Sequence, residues 1–198
     1  MGASDMFNVI QTTRAWSRLI AVVLAFLASS AKASGGAPIP RPSPRVVKFL
    51  GERAAETLAG ATRAEVFRVS SKRAEEGQPA VGGYEIVAAG KEQGEPFARW
   101  LAGVLLDEMT YRFDSNKVGD FTPLVGLRLW KGTDKVEVLL SFQTDELVVF
   151  SPNAKDGSIR SAQEDFDAAR GTLVVLVKQA LPEDREVQGV AKKIEDNE

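Results

Sequence analysis

Three residues between positions 114 and 120 match positions 1, 3 and 6 of the EF-hand calcium loop, namely Asp114, Asn116 and Gly119. Position 5 is Val118 and position 12 is Val125, where that loop needs an oxygen ligand and a bidentate Glu. Asp, Asn, Ser and Gly are also common turn residues. We therefore interpret Asp114, Asn116 and Asp120 as candidate metal ligands, with a turn leading into a strand as the alternative.

Carboxylate pairs are the second feature with chemical potential, because one acid and one base together can hydrolyse a glycosidic bond. Asp107 and Glu108 are adjacent, so on a helix they project about a hundred degrees apart and cannot act together. Glu108 lies at the edge of an apolar stripe, where burial would raise its pKa unless it pairs with an Arg. Asp145 and Glu146 lie near a strand turn and are expected to be solvated. We assign no catalytic residue to these pairs.

Arg128 and Trp130 are the predicted binding residues. They alternate with Leu127 and Leu129 in an extended segment, so they share the strand face opposite the apolar one. If helices cover the apolar face, the face with Arg128 and Trp130 is open to a ligand or a protein partner. The alternative is that Trp130 packs under a loop while Arg128 stacks on it or pairs with Glu137 across a hairpin.

The chain of 198 residues contains neither histidine nor cysteine. Without cysteine, disulfides, thiolate catalysis, cysteine-ligated metals and lipid attachment to a cysteine are excluded. Without histidine, a Ser-His-Asp triad, a histidine zinc site and the usual general base near neutral pH are excluded. The sequence therefore leans against an enzyme, and we expect no cofactor.

The first 33 residues have the pattern of a secretory signal peptide. Arg14 and Arg18 precede an apolar run at 19–28, which is too short to span a bilayer, and Ala31 and Ala33 give the small-residue cleavage pattern. We predict cleavage near Ala33, export to the periplasm or the extracellular space, and no integral membrane segment after cleavage. A buried N-terminal helix or an uncleaved anchor is the alternative.

The charge of the predicted mature chain bears on its partners. Removing residues 1–33, which hold Arg14, Arg18, Lys32 and Asp5, changes the net charge from -2 to -4. Because nucleic-acid-binding domains carry basic patches, we expect no nucleic-acid partner. The partner is predicted to be a protein or a small ligand of unknown identity.

Composition and periodicity divide the rest of the chain. Residues 34–43 are rich in Gly, Pro and Ser and are predicted to form a flexible linker. Apolar residues at helical spacing predict helices at 44–59, 95–111 and 161–181. Ser161 and Glu164 form a capping box at the start of the last helix. Residues 182–198 are charged and are predicted to be a disordered tail.

Period-two alternation predicts strands at 65–70, 84–89, 124–130, 136–142 and 146–150. The clearest case places Val136, Val138, Leu140 and Phe142 on one face, after a Gly-containing turn at 131–134. Residues 44–181 are therefore predicted to form a single α+β domain. We expect a two-layer domain with a mostly antiparallel sheet of about five strands and helices packed mainly on one face.

The segment 121–150 resembles a group of short exported bacterial proteins of unknown function. The resemblance lies in Phe121-Thr122-Pro123, in Arg128-Leu129-Trp130-Lys131-Gly132 and in the strand that ends at Phe142. Those proteins read F-x-P, then R-x-W-x-G, then L-L-C-F-x-C, whereas Ser141 and Thr144 replace the cysteines here. The resemblance implies strands and export, implies no activity, and excludes any role of that cysteine pair.

Together these features predict an exported, non-enzymatic α+β domain that binds a protein or ligand through a sheet face or edge. One alternative is a carrier of an apolar small molecule, held between the sheet and the last helix. Another alternative is a carboxylate-dependent hydrolase, which requires two carboxylates that converge in a cleft.

Overall fold

The computed structural model of the protein describes residues 39–115, 117, 119–152 and 159–192. The predicted signal peptide and residues 34–38 lie outside the described residues.

The first helix begins as its sequence predicts. Pro44 occupies its first turn, and the Ser43 side chain accepts a hydrogen bond from the N–H of Val46 at 3.3 Å.

The described chain contains helices and strands throughout its length. Its α-helices are α1 (Pro44–Leu50), α2 (Glu52–Ala59), α3 (Glu95–Leu106), α4 (Arg170–Ala180) and α5 (Arg185–Gly189). Its strands are β1 (Arg63–Arg73), β2 (Ala80–Val81), β3 (Tyr84–Ala89), β4 (Val125–Lys131), β5 (Asp134–Ser141), β6 (Glu146–Pro152) and β7 (Ile159–Asp165). Short 3-10 helices are found at Glu108–Thr110 and Asp167–Ala169.

The strands form one antiparallel sheet in the order β2-β3-β1-β4-β5-β6-β7. The sheet has seven strands instead of about five, because β2 and β7 extend it at its two ends. It is curled into a half-barrel. The α+β class and the antiparallel pairing are confirmed, as is the hairpin turn, where Lys131 pairs with Asp134.

Apolar side chains form two clusters, one on each face of the sheet. The larger cluster contains every buried apolar residue of the helices together with Val136, Val138 and Leu140 of β5. The smaller cluster lies on the opposite face and contains Phe67, Val69, Val81 and Leu139. The alternation predicted for β5 is therefore confirmed, with Leu139 buried on the second face by β2.

The predicted helix 44–59 is two helices, because Gly51 has φ 87° and interrupts it. The conformation is left-handed and favours glycine. The predicted helix 95–111 ends at Leu106 and is followed by the 3-10 helix Glu108–Thr110.

The prediction of a helix at 161–181 is wrong over its first turns. Ile159–Asp165 is a strand that pairs along its length with β6, and the α-helix begins at Arg170. Ser161 and Glu164 therefore form no capping box. The inward-directed N–H and C=O groups of an edge strand need hydrogen bonds from only one neighbouring strand. The pairing of residues 159–165 with β6 therefore outweighs the local sequence preference for a helix.

The prediction of a disordered tail at 182–198 is wrong for its described part. The Asp184 side chain accepts a hydrogen bond from the N–H of Val187 at 3.0 Å and begins α5. Val187 is completely buried, and Arg68 forms an ion pair with Asp184 at 3.1 Å. Residues 193–198 lie outside the described residues. Among the described helices, none has the length and apolar character to cross a bilayer.

Candidate functional site

The Arg128 side chain lies on the predicted face but is fully engaged there. Its Nε donates to Glu137 Oε1 at 2.8 Å, another guanidinium nitrogen donates to the carbonyl of Ala80, and the group lies 5.1 Å from the ring centre of Phe67. Arg128 thus ties β2 to β5. This pairing with Glu137 is the structural alternative that the sequence left open.

Glu137 completes the same contact. Its Oε2 accepts the N–H of Gly82 at 3.0 Å, and its Oε1 also accepts from Lys135 at 2.9 Å. Burial by itself raises the pKa of Glu137, but the Gly82 N–H, Arg128 and Lys135 outweigh burial and lower that pKa below its ordinary value. Both carboxylate oxygens of Glu137 therefore have partners.

Trp130 lies on the same face and is partly buried. Its Nε1 donates to Glu65 at 2.7 Å, and the Arg63 guanidinium stacks over its ring at 4.4 Å. The ammonium group of Lys135 lies 5.8 Å from the centre of the Trp130 ring. A binding role for Trp130 and Arg128 stays a prediction, and the contacts of Arg128 are those of a residue that holds the curled sheet together.

Of the candidate metal ligands, Asp114 and Asp120 lie among the described residues. The Asp114 side chain is 91% exposed and pairs with Arg45 at 2.7 Å, while Asp120 is exposed. Asn116 lies outside the described residues. The described residues contain no group of three or more acidic side chains arranged to hold a metal ion.

The loop that holds these candidates supplies a cation of its own. Lys117 Nζ donates to the carbonyl of Thr144 and to Asp167 Oδ1, both at 2.6 Å, and lies 3.2 Å from Asp165 Oδ2. Burial opposes its charge, but the hydrogen bonds to Asp167 and Asp165 outweigh burial and raise the pKa of Lys117. An ammonium group therefore occupies a position between carboxylates.

A buried ion pair between Asp145 and Arg170 lies beside Lys117. Asp145 has a left-handed backbone conformation, with φ 53°, and its carboxylate contacts the Arg170 guanidinium. Arg170 also donates to the carbonyl of Phe142 at 2.8 Å. Burial, together with the neighbouring Asp167, raises the pKa of Asp145 to about 6 in spite of Arg170.

Glu146 and Asp165 lie directly opposite each other on β6 and β7. Glu146 Oε1 accepts from Gln163 at 2.9 Å, and Asp165 Oδ1 accepts the N–H of Asp167 at 2.8 Å. Within the described residues, Glu146 Oε2 is buried and accepts no hydrogen bond, whereas Asp165 Oδ2 is buried beside the Lys117 ammonium, 3.2 Å from its Nζ. They border a polar cleft of about 240 Å³, called here the acidic cleft and lined by Ser115, Lys117, Glu146, Gln163, Glu164 and Asp165.

The outer edge of β7 has two different parts. At its end, the Arg112 N–H donates to the carbonyl of Asp165 at 3.0 Å, and the Asp165 N–H donates to Glu164 Oε1 at 3.1 Å. The N–H of Phe166 donates to the carbonyl of Asp145 at 2.8 Å, toward β6. Along an antiparallel strand, the backbone N–H and C=O groups of successive residues point alternately toward and away from the neighbouring strand. The residues of β7 whose groups point away from β6, called here outward-directed, are therefore those that alternate in step with Asp165, namely Ile159, Ser161 and Gln163.

The predicted position of a carrier pocket is filled. Leu173 and Val177 of α4 are buried in one continuous cluster with the strand residues Val138 and Leu147. A larger cleft, of about 550 Å³, lies at the molecular surface between the end of β3 and the end of α4. This packing gives no support to an apolar ligand between the sheet and α4.

The sequence does not reveal the acidic cleft, because the helix it predicts at 161–181 places Gln163 and Asp165 on an element separate from the strand that holds Glu146. One signal was present in the sequence. The large apolar residues of the predicted stripe begin only at Phe166, and residues 160–165 have no apolar side chain larger than Ala162.

Comparison with protein-family models, with curated proteins and with solved structures found no match to this chain.

Proposed function

We propose that the protein is an exported, non-enzymatic binding domain that takes an extended segment of another polypeptide at the outer edge of β7. The observation that carries the proposal is the row of outward-directed backbone groups at Ile159, Ser161 and Gln163, with which no described strand pairs. Such groups add a further strand by main-chain hydrogen bonding.

The edge of β7 is a better binding surface than the sheet face. On the face, Arg128 and Glu137 are bonded to each other and to the β2–β3 hairpin. The other edge of the sheet is formed by β2, which is two residues long, and by the end of β3 that β2 does not cover. β7 is seven residues long, contains no proline, and exposes 67% of Ile159.

Two parts of the proposal concern the scaffold and its location. We infer a two-layer arrangement, because all buried apolar helix residues belong to the cluster on one sheet face. Export is supported by the signal-peptide pattern of residues 1–33, and cleavage would leave Ser34 as the first residue. The N-terminal sequence of protein secreted by its own cells tests that part.

A peptide-binding experiment tests the edge. Peptides of random sequence, ten residues long, are selected by display on the mature chain, and amide hydrogen exchange is then measured with each selected peptide. We expect slower exchange at Ile159, Ser161 and Gln163, because their N–H groups become donors to the added strand. Ser161→Pro should abolish binding while the chain stays folded, since an outward N–H on an edge strand can be lost.

Ser161→Ala is the matched control, because it removes the hydroxyl but keeps the N–H, and it should bind as the native chain does. Selected peptides that leave the three amides unprotected, or that bind Ser161→Pro with unchanged affinity, would refute binding at this edge. Failure of the selection to enrich any peptide would count against the proposal equally.

The hydrolase remains a second candidate because Glu146 and Asp165 converge at one cleft. The small volume and the buried oxygens favour a side chain over a sugar or an extended substrate at this position. A double substitution, Glu146→Gln with Asp165→Asn, that leaves an observed turnover unchanged would eliminate this candidate.

A further inference from the structure

We infer that the acidic cleft binds the cationic end of a basic side chain, Lys or Arg, from the segment that pairs with β7. This inference rests on the proposed function and adds the chemistry of the partner. Charge is the first argument: Glu146, Glu164 and Asp165 line the cleft against a single cation, Lys117. That ammonium already donates to Asp167 and to a backbone carbonyl and lies 3.2 Å from Asp165 Oδ2, so it leaves Glu146 Oε2 unpaired.

The state of Glu146 is the second argument. The residue is only 8% exposed, and it lines the cleft with one oxygen bonded to Gln163. Its Oε2 accepts no hydrogen bond from the described residues. A buried carboxylate oxygen without a partner is costly, and a donor supplied by a ligand removes that cost.

The pairing of Glu146 with Asp165 is the third argument. Like charges directly opposite each other on neighbouring strands destabilise a sheet. Burial also raises the pKa of Glu164, and the negative charge of Asp165 adds to the rise. Lys117 offsets this repulsion on the Asp165 side, and a second cation at Glu146 Oε2 would offset it further and supply the missing hydrogen bond.

The location of the cleft connects it to the edge. Gln163 both lines the cleft and belongs to the outward-directed residues of β7. A residue paired with Gln163 on an added strand has its Cβ about 5 Å from that of Gln163. A Lys or Arg side chain at that position is long enough to reach Glu146 and Asp165, and the cleft of about 240 Å³ holds one such group.

Small probes test the cleft without any peptide. N-acetyl-lysine methylamide, N-acetyl-arginine methylamide and the uncharged N-acetyl-norleucine methylamide are titrated into the mature chain, with side-chain carboxyl NMR signals as the readout. We expect the cationic probes to shift the signals of Glu146, Glu164 and Asp165, and the norleucine probe to leave them in place. The stronger of the two cations identifies the side chain.

Substitutions give the quantitative test. Glu146→Gln and, separately, Glu164→Gln should each weaken binding of the cationic probe about tenfold, because each removes a charge-assisted hydrogen bond. Glu56→Gln is the control, since Glu56 is exposed on α2 and distant in the fold from the cleft, and it should bind as the native chain does. Equal binding by all three variants would overturn the inference.

The two proposals can fail separately. Replacing the basic residue of a selected peptide by norleucine should weaken binding about tenfold. If it has no effect while the amides of β7 remain protected, edge binding stands and the basic-residue inference is wrong. If the probes bind at Glu146 but no peptide protects β7, the cleft accepts a basic group, but edge pairing is wrong and the group does not come from an added strand. Displacement of the probes by submillimolar Ca²⁺ or Mg²⁺ would overturn it in favour of a metal site.

Discussion

Glu137, which is partly buried, and Glu146, which is buried, are carboxylates on neighbouring strands of one sheet, and they differ in how many of their oxygens have partners. Glu137 accepts from Arg128, Lys135 and the N–H of Gly82, so both of its oxygens are bonded. Within the described residues Glu146 accepts only from Gln163 and faces another carboxylate, Asp165. A carboxylate with hydrogen bonds to both oxygens stabilises the fold, whereas one with an unbonded oxygen is a position at which a ligand can donate a further hydrogen bond.

The largest effect on stability is expected from a substitution that removes the contact between Arg128 and Glu137. Arg128→Met leaves the partly buried Glu137 without its guanidinium partner and also releases the carbonyl of Ala80, so we expect the free energy of unfolding to fall by about 3 kcal/mol. Urea denaturation measures it, and hydrogen exchange should show lost protection in β2. Lys135→Met removes an exposed partner of Glu137 and should cost less than about 1 kcal/mol. Equal losses in the two variants would mean that Arg128 does not hold the hairpin.

A smaller effect concerns pH. Because the folded-state pKa of Asp145 is raised from 3.8 to about 6, the folded chain holds this proton more tightly than the unfolded chain does. Its contribution to stability is complete below about pH 4 and is lost as the pH rises through about 6. Glu137, whose pKa is lowered, has the opposite dependence.

Asp145→Asn isolates that contribution, because Asn has no proton to lose and tolerates the left-handed backbone. Urea denaturation from pH 4 to pH 7 should show a flatter fall for this variant than for the native chain. The exposed Asp120→Asn should keep the native profile. An unchanged profile in Asp145→Asn would assign the pH dependence to other groups.

The smallest effect distinguishes the two carboxylates most directly. Glu146→Gln removes one of two opposed charges and keeps an acceptor for Gln163, so the free energy of unfolding should stay the same or rise by up to about 1 kcal/mol. Glu137→Gln, a matched change in the satisfied contact, should lower it by about 1 to 2 kcal/mol. Thermal denaturation measures both, and a similar loss in both variants would remove the distinction between the two sites.

The central strands could be predicted because each has a buried apolar face. Val136, Val138 and Leu140 alternate with polar residues, and the turn after Lys131 contains a glycine, so local sequence and final pairing agree. The strand β7 could not be found in this way. It lies at an edge with its side chains mostly in contact with solvent, so no apolar alternation is needed and the pattern that identifies strands is missing.

The acidic cleft was beyond sequence reasoning for a different reason. Lys117, Glu146 and Asp165 come from a loop and two strands, and only the register of β6 against β7 brings the two carboxylates together. The polar loop at 114–120 matches part of a calcium-loop pattern, and that pattern predicts a bound metal ion. The cation at this place is the ammonium of Lys117, which needs no ligand from outside.

The contact between Arg128 and β2 also limits how copies of this chain can assemble. It folds the short edge strand against the body of the sheet, so among the described residues β7 is the one long edge that a second copy can meet. Two copies that join β7 to β7 about a two-fold axis use up that edge in both. An assembly through this edge alone would therefore end at a pair.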